Sequence, residues 1–238
     1  MMSKLAQGVN LSGQPVAVLR ADRAPENAVR FKDNTAGCMV GALSAVAGGK
    51  TYAFTEETTG CPGARAGLGF RPMPGGPAAD FLATGTPDHG GLYLKKTCDL
   101  ARTHAAGMPV FHPAPCLVMK PLSELAEGET PVSVILLVNP DQLAGLVTMA
   151  TFDRPDREAV KVPFGSGCAQ AVLFPMCDSE AGGDLCTIGL MDPSARVHFD
   201  GSLLTFSIPW KRFLEMEANA EESFLSKSPA WSKVRERL

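Results

Sequence analysis

The sequence predicts a single mixed α/β (α+β) domain over residues 1–238, a central mixed sheet with helices packed on it. Three observations predict it. Short apolar runs of strand length alternate with apolar stripes at helical spacing. The connections range from tight turns to long loops, so parallel and antiparallel pairing are both expected. No repeat, low-complexity stretch or linker divides the 238 residues, which suffice for one substantial core.

Residues 15–20 are the first expected strand, with Val16 and Val18 alternating against small neighbours. Residues 21–33 are a polar connection around Pro25. A helix follows, with Thr35 as its expected N-cap. Met39, Ala42, Leu43 and Val46 form its buried stripe, and Gly48-Gly49 is its stop. Cys38 then falls in its first turn. A strand over 51–54 leads into Thr58-Thr59-Gly60-Cys61-Pro62-Gly63, where Pro62 keeps Cys61 extended and opens a short helix. The Gly- and Pro-rich stretch 71–91 is an expected surface loop, and 93–106 a polar helix.

Residues 110–119 and 132–138 are the next strands, the second apolar almost throughout, as suits a strand covered on both faces. Residues 139–151 carry the clearest helix signal. Asn139 caps it, Pro140 takes the first position and Gln142 completes a capping box, with Leu143, Leu146, Val147 and Ala150 as its stripe. A charged loop over 153–158 precedes a strand at 160–164. Gly165-Ser166-Gly167-Cys168 then turns into a helix over 169–174, with Ser166 as the cap. Strands at 185–191 and 203–208 precede a closing amphipathic helix over 210–225. Pro209 opens it, and Trp210, Phe213, Leu214 and Phe224 form its apolar side.

Composition excludes several classes. A formal net charge of −3 supplies no basic field for nucleic acid. No run approaches the roughly 18 apolar residues of a membrane span. Residues 1–14 lack the apolar core of a signal peptide, so a cytoplasmic protein with reduced thiols is expected. Seven cysteines, an odd number, cannot all pair within the chain.

Three of those cysteines follow glycine directly, in Gly37-Cys38, Gly60-Cys61 and Gly167-Cys168, each at an expected helix start. Free N–H groups and the helix dipole stabilise a thiolate there. Glycine lets the backbone approach and turn its N–H toward sulfur. The separations lack the compact C-x₂-C spacing of ferredoxins or zinc ribbons, so only the shared local context links the three residues. Brought together, they would suit a metal or a [4Fe–4S] cluster with three Cys ligands and one open iron. Inert packing in tight turns and thiol nucleophile chemistry fit the same residues.

Arg65, Arg154, Arg157 and Arg196 are candidates for gripping a small anionic molecule, with surface pairing to Asp153, Asp156 and Asp192 as the alternative. Asn139 with Asp141, and Ser166, stand at helix starts after strands, where ligands bind in α/β sheets and where capping also explains them. Gly165-Ser166-Gly167 is not the five-residue nucleophile elbow. His89, His104, His112 and His198 make no i, i+4 pair, although His112 lies on an expected strand and could approach a thiol. Neither a dinucleotide fingerprint nor a Walker lysine pattern occurs.

The run 60–70, Gly-Cys-Pro-Gly-Ala-Arg-Ala-Gly-Leu-Gly-Phe, is joined by Val138-Asn139-Pro140-Asp141-Gln142-Leu143, Phe164-Gly165-Ser166-Gly167-Cys168, Asp192-Pro193-Ser194-Ala195-Arg196 and residues 206–213. Together these motifs resemble the prokaryotic DUF169 family over about residues 38–225. The resemblance implies one DUF169-like domain and family cysteines at Cys38, Cys61 and Cys168. It implies no substrate.

The leading expectation is a cytoplasmic iron–sulfur protein with Cys38, Cys61 and Cys168 as ligands. Arg65, Arg154, Arg157, Asn139 and Ser166 would bind a small anionic molecule at the open iron. The alternatives are a metal-free thiol enzyme using Cys61 or Cys168, and a non-catalytic binding or assembly module whose closing helix meets a second copy of the chain.

Overall fold

A computed structural model describes residues 3–30, 38–111 and 114–238. In chain order the elements are α1 (Lys4–Gly8), β1 (Val16–Ala21), β2 (Val29–Arg30), α2 (Met39–Ala47), β3 (Tyr52–Thr55), α3 (Pro62–Gly67), α4 (Pro77–Asp80), β4 (Gly85–Thr86), β5 (His89–Gly90), α5 (Cys98–Ala106) and β6 (Cys116–Pro121). There follow β7 (Ser133–Val138), α6 (Pro140–Met149), β8 (Val160–Lys161), a π-helical segment (Ala169–Leu173) running into α7 (Phe174–Glu180), β9 (Cys186–Gly189), α8 (Pro193–Arg196), β10 (Leu204–Pro209), α9 (Trp210–Asn219), α10 (Phe224–Lys227) and α11 (Pro229–Arg235).

Eight strands form one mixed sheet in the order β2-β3-β6-β1-β7-β10-β9-β8. Its interior is antiparallel, with parallel pairs at the edges, β2 with β3 and β8 with β9. Central β7 has no exposed residue, as its unbroken apolar run predicts. Strand alternation splits the core in two. Val16, Val18, Leu117, Met119, Ile135 and Leu137 face α2, α3, the π segment, α7 and α8. Ala17, Leu19, Val134, Leu136, Phe206 and Ile208 face α1, α6, α9, α10 and α11. A one-residue slip of register would exchange the two faces, so burial on both sides fixes the pairing.

Several boundaries differ from the sequence reading. The expected surface loop 71–91 contains α4 and the β4–β5 hairpin. The polar helix begins only at Cys98, behind a Thr97 cap whose hydroxyl accepts the Leu100 N–H. The strand expected from 110 begins at Cys116, and β8 holds only two residues. The closing helix stops at Asn219 and resumes as two short helices, each opened by a serine cap at Ser223 and Ser228. Leu214 is 42% exposed rather than part of the apolar side, whereas Arg212 is buried. Arg212 bonds Asp153 and Glu215 through Nη1 and the Ala150 carbonyl through Nη2. The expected Thr35 cap, Gly37 and His112 lie outside the described residues.

Candidate functional site

Three chain segments deliver cysteines to the same side of the sheet. Cys38 is itself the N-cap of α2, one position earlier than its expected place in the first turn. Cys61 is the N-cap of α3, with Pro62 at the first helical position. Cys168 lies in the first turn of the helix that continues through the π segment. Ser166 starts that helix, since its Oγ accepts the Ala169 N–H at 3.2 Å and its carbonyl accepts the Gln170 N–H at 3.0 Å. The hydroxyl therefore has the capping role read from the sequence.

Close packing joins the three starts. A Cβ at Gly67, the last residue of α3, would lie 2.6 Å from Cys168 Cβ and 2.9 Å from Ser166 Oγ. A Cβ at Gly167 would lie 2.9 Å from Val40 Cγ2, two residues after Cys38. Glycine at 67 and 167 thus lets α3 and α2 touch the start of the Cys168 helix. Cys61 is exposed, Cys38 half-buried and Cys168 6% exposed, so the thiols form a graded series from solvent into the core.

Their electrostatics are mutual. Burial pushes the Cys168 thiol well above its ordinary value, and the Cys38 and Cys61 sulfurs and the Asp192 carboxylate push it further. Burial also raises Cys38. The Val40 and Gly41 N–H groups pull it down without closing a capping bond, and Cys61 and Asp192 add to the rise. Backbone N–H groups at the helix starts pull the Cys38 and Cys168 thiols down, but desolvation outweighs them, so both lie above the ordinary value, against the thiolate expected there. Among the described residues, no three His, Cys, Asp or Glu side chains stand where they would hold a metal ion.

The other cysteines lie apart. Cys98 contacts Thr84 Oγ1 at 3.3 Å, Cys116 and Cys186 are buried in the sheet, and Cys177 lies along α7. Arg65, on α3, donates through Nε to the Thr59 carbonyl and pins the turn that presents Cys61. Thr59, fully buried, donates its hydroxyl to the Thr55 carbonyl at 2.7 Å and holds the same turn. Arg65 and Ser166 are thus the predicted binding residues that the fold places near the thiols.

The rest go elsewhere. Arg154 pairs with Asp184 and Glu215, on the α9 side of the sheet. Arg157 is exposed in the loop before β8. Asn139 and Gln142 form the capping box of α6, on the far face. Arg196 bonds the Leu203 and Gly201 carbonyls, the latter at 2.6 Å, and makes no pair with Asp192.

Asp192 and Gln170 were missed by sequence reasoning. Asp192 is the N-cap of α8. Its signal was the run Asp192-Pro193-Ser194, which reads as a cap followed by proline at the first helical position. Gln170 carries no such signal; its fully buried amide ties Pro163 to Met191 across the π segment.

Comparison with known proteins completes the picture. No curated protein and no solved structure matches this chain. The model of the DUF169 family, described as an uncharacterised ArCR, matches residues 4–219. With most of its length matched, including all three grouped cysteines and Asp192, the chain belongs to the DUF169 family.

Proposed function

We propose that Cys38, Cys61 and Cys168 hold a [4Fe–4S] cluster in a cytoplasmic protein that acts on, or senses, a small anionic molecule. One observation carries the reading: three sulfurs from distant parts of the chain are electrostatic neighbours at three helix starts. Such a group, when bound, supplies electron transfer or Lewis acidity at an iron without a thiolate ligand.

The donor set suits it. Soft thiolates suit iron–sulfur clusters, as they also suit zinc and Cu(I). Three ionised sulfurs in one place repel one another, and a cationic centre between them reverses the sign of that interaction. Backbone N–H groups at the helix starts complete the surroundings such sulfurs require. Cys61, at the exposed end of the series, gives a small molecule its approach, and Arg65 fixes the turn that carries it. All seven cysteines are free, which suits a reducing compartment. No helix among the described residues is long and apolar enough to cross a membrane.

Anaerobic purification with iron and acid-labile sulfide analysis tests the reading. A brown protein absorbing near about 400 nm, with about four irons per chain, is expected. A colourless preparation that takes up neither element on reconstitution refutes it. A second reading, metal-free thiol chemistry at Cys61, is favoured by the exposure of that sulfur. It predicts that an iron-free protein retains ligand binding and loses it when Cys61 alone is alkylated.

A further inference from the structure

Between α3 and β6 the chain leaves the core and returns to it. Phe70 packs on the α2 side of the sheet before the departure, and Met108 packs there after it. The residues between them form α4, the β4–β5 hairpin and α5. They bury Ala79, Ala83, Ala101 and Ala105, which belong to neither core. α4 packs on α5, and two polar rungs join the pair. Arg102 Nη2 donates to Asp80 Oδ2 at 2.8 Å, and Cys98 Sγ meets Thr84 Oγ1 at 3.3 Å. The chain after the hairpin ties back to the end of α4. The Leu92 N–H donates to the Phe81 carbonyl at 2.8 Å and the Tyr93 N–H to the Ala83 carbonyl at 2.9 Å. Among the described residues, every hydrogen bond and ion pair made by residues 77–106 stays within residues 76–108.

This self-contained unit grips one side chain of the body. Phe164, between β8 and Ser166, packs in neither core. Lys95 Nζ stands 4.6 Å from the centroid of its ring, and the His104 ring lies 5.5 Å from it at 45°. A cation from before α5 and an imidazole from its last turn thus hold the same aromatic ring. The connections on either side are free to bend. Residues 71–76 read Arg-Pro-Met-Pro-Gly-Gly. Gly76 is left-handed at φ 58°, and a Cβ at Gly75 or Gly76 would meet nothing within 4 Å. Gly107 ends α5 where the chain turns back toward the core.

We infer that residues 77–106 are a cap that swings as one body on Gly75-Gly76 and Gly107, and that closes by docking Lys95 and His104 on Phe164. An element with many bonds inside and few across its border opens as a unit and at low cost. Hinges of this kind absorb the backbone change in a few residues. Opening uncovers Phe164, one residue before the turn Gly165-Ser166-Gly167-Cys168. The position of the cap and the start of the Cys168 helix are thus linked through one ring.

Residual dipolar couplings of the backbone amides test it in wild type, in Phe164→Leu and in a double variant, Lys95→Met with His104→Leu. Wild type is expected to fit one alignment tensor across cap and sheet. F164L keeps an apolar side chain and removes the ring. K95M/H104L leaves Phe164 intact and changes only the cap. In both variants the couplings of 77–106 are expected to keep fitting the cap's own structure. They are also expected to depart from the sheet's tensor and to shrink as the cap reorients. A tensor still shared with the sheet in either variant overturns docking through Phe164, as do separate tensors in wild type. Couplings of 77–106 that fit no single body overturn the rigid cap. Should F164L fail to fold, K95M/H104L alone decides between these outcomes.

Discussion

Replacing Gly67 with alanine tests the contact that brings α3 against Cys168. The new methyl would lie 2.6 Å from Cys168 Cβ, 2.7 Å from the Ala169 nitrogen and 2.9 Å from Ser166 Oγ. Two of these neighbours are fixed by helix geometry, so the strain falls on the α3 contact itself. Overpacking of this kind costs about 1–3 kcal/mol. Against it stands the helix preference of alanine over glycine, roughly 1 kcal/mol or less near a helix end. A net loss of up to about 2 kcal/mol follows. It corresponds to a fall of roughly 4–8 °C in melting temperature for a chain of this size.

Gly63→Ala is the control on the same helix. Its methyl would meet only Cys61 Sγ at 3.8 Å, an ordinary contact, so the variant should gain a few tenths of a kcal/mol to about 1 kcal/mol. Thermal unfolding followed by circular dichroism reads both signs. Iron content after anaerobic reconstitution should fall in G67A and hold in G63A. Equal melting temperatures and equal iron in the two variants would refute the packing argument.

The remaining predictions concern the far face and the thiols. Arg212→Met leaves Asp153 without its main partner; because Asp153 is partly exposed, the loss should sit at the low end of the range for broken buried pairs, about 3 kcal/mol by urea unfolding. Asp153 titrates below the ordinary carboxylate range, first because Arg212 bonds it, and Asp184 does so because of Arg154. Depressed folded values give stability that is present above the unfolded value, about pH 4, and lost as pH falls through the folded one. A melting-temperature profile from neutral pH to pH 3 should show that loss, flattened in R212M. In metal-free protein at neutral pH, iodoacetamide should label Cys61 first and Cys38 more slowly. Cys168 should react only on unfolding, as should Cys186, whose thiol burial pushes up to about 12. Peptide mass spectrometry gives the order.

Local signals carried much of this fold. The capping box at Asn139 and Gln142, the stripe of α2 and the apolar run of β7 each dictate their own element, and each formed as read. The hairpin β4–β5 and the two-residue β2 escaped because so few residues carry no periodicity, whereas β8 fell within the strand expected at 160–164. The burial of Arg212 and the exposure of Leu214 depend on which side of α9 meets the sheet, and charge on that side disguised it. At the site, Gly-Cys pairs marked the three helix starts. Proximity of the sulfurs, by contrast, depends on glycines 67 and 167 contacting elements remote in the chain. Arg154 and Asn139 were attractive by type and lie across the sheet, since spacing along a strand does not reveal its face without the register. Asp192 was legible as a cap, and only the fold brings it to the thiols.

The central claim is that three sulfurs, and not seven, make one centre. Iron and sulfide content across the seven single Cys→Ala variants, reconstituted anaerobically, tests it most directly. The account predicts that the changes at Cys38, Cys61 and Cys168 each abolish or sharply lower both elements, while those at Cys98, Cys116, Cys177 and Cys186 leave them at the wild-type level. Full iron in the Cys168→Ala protein, or equal loss in every variant, would contradict it.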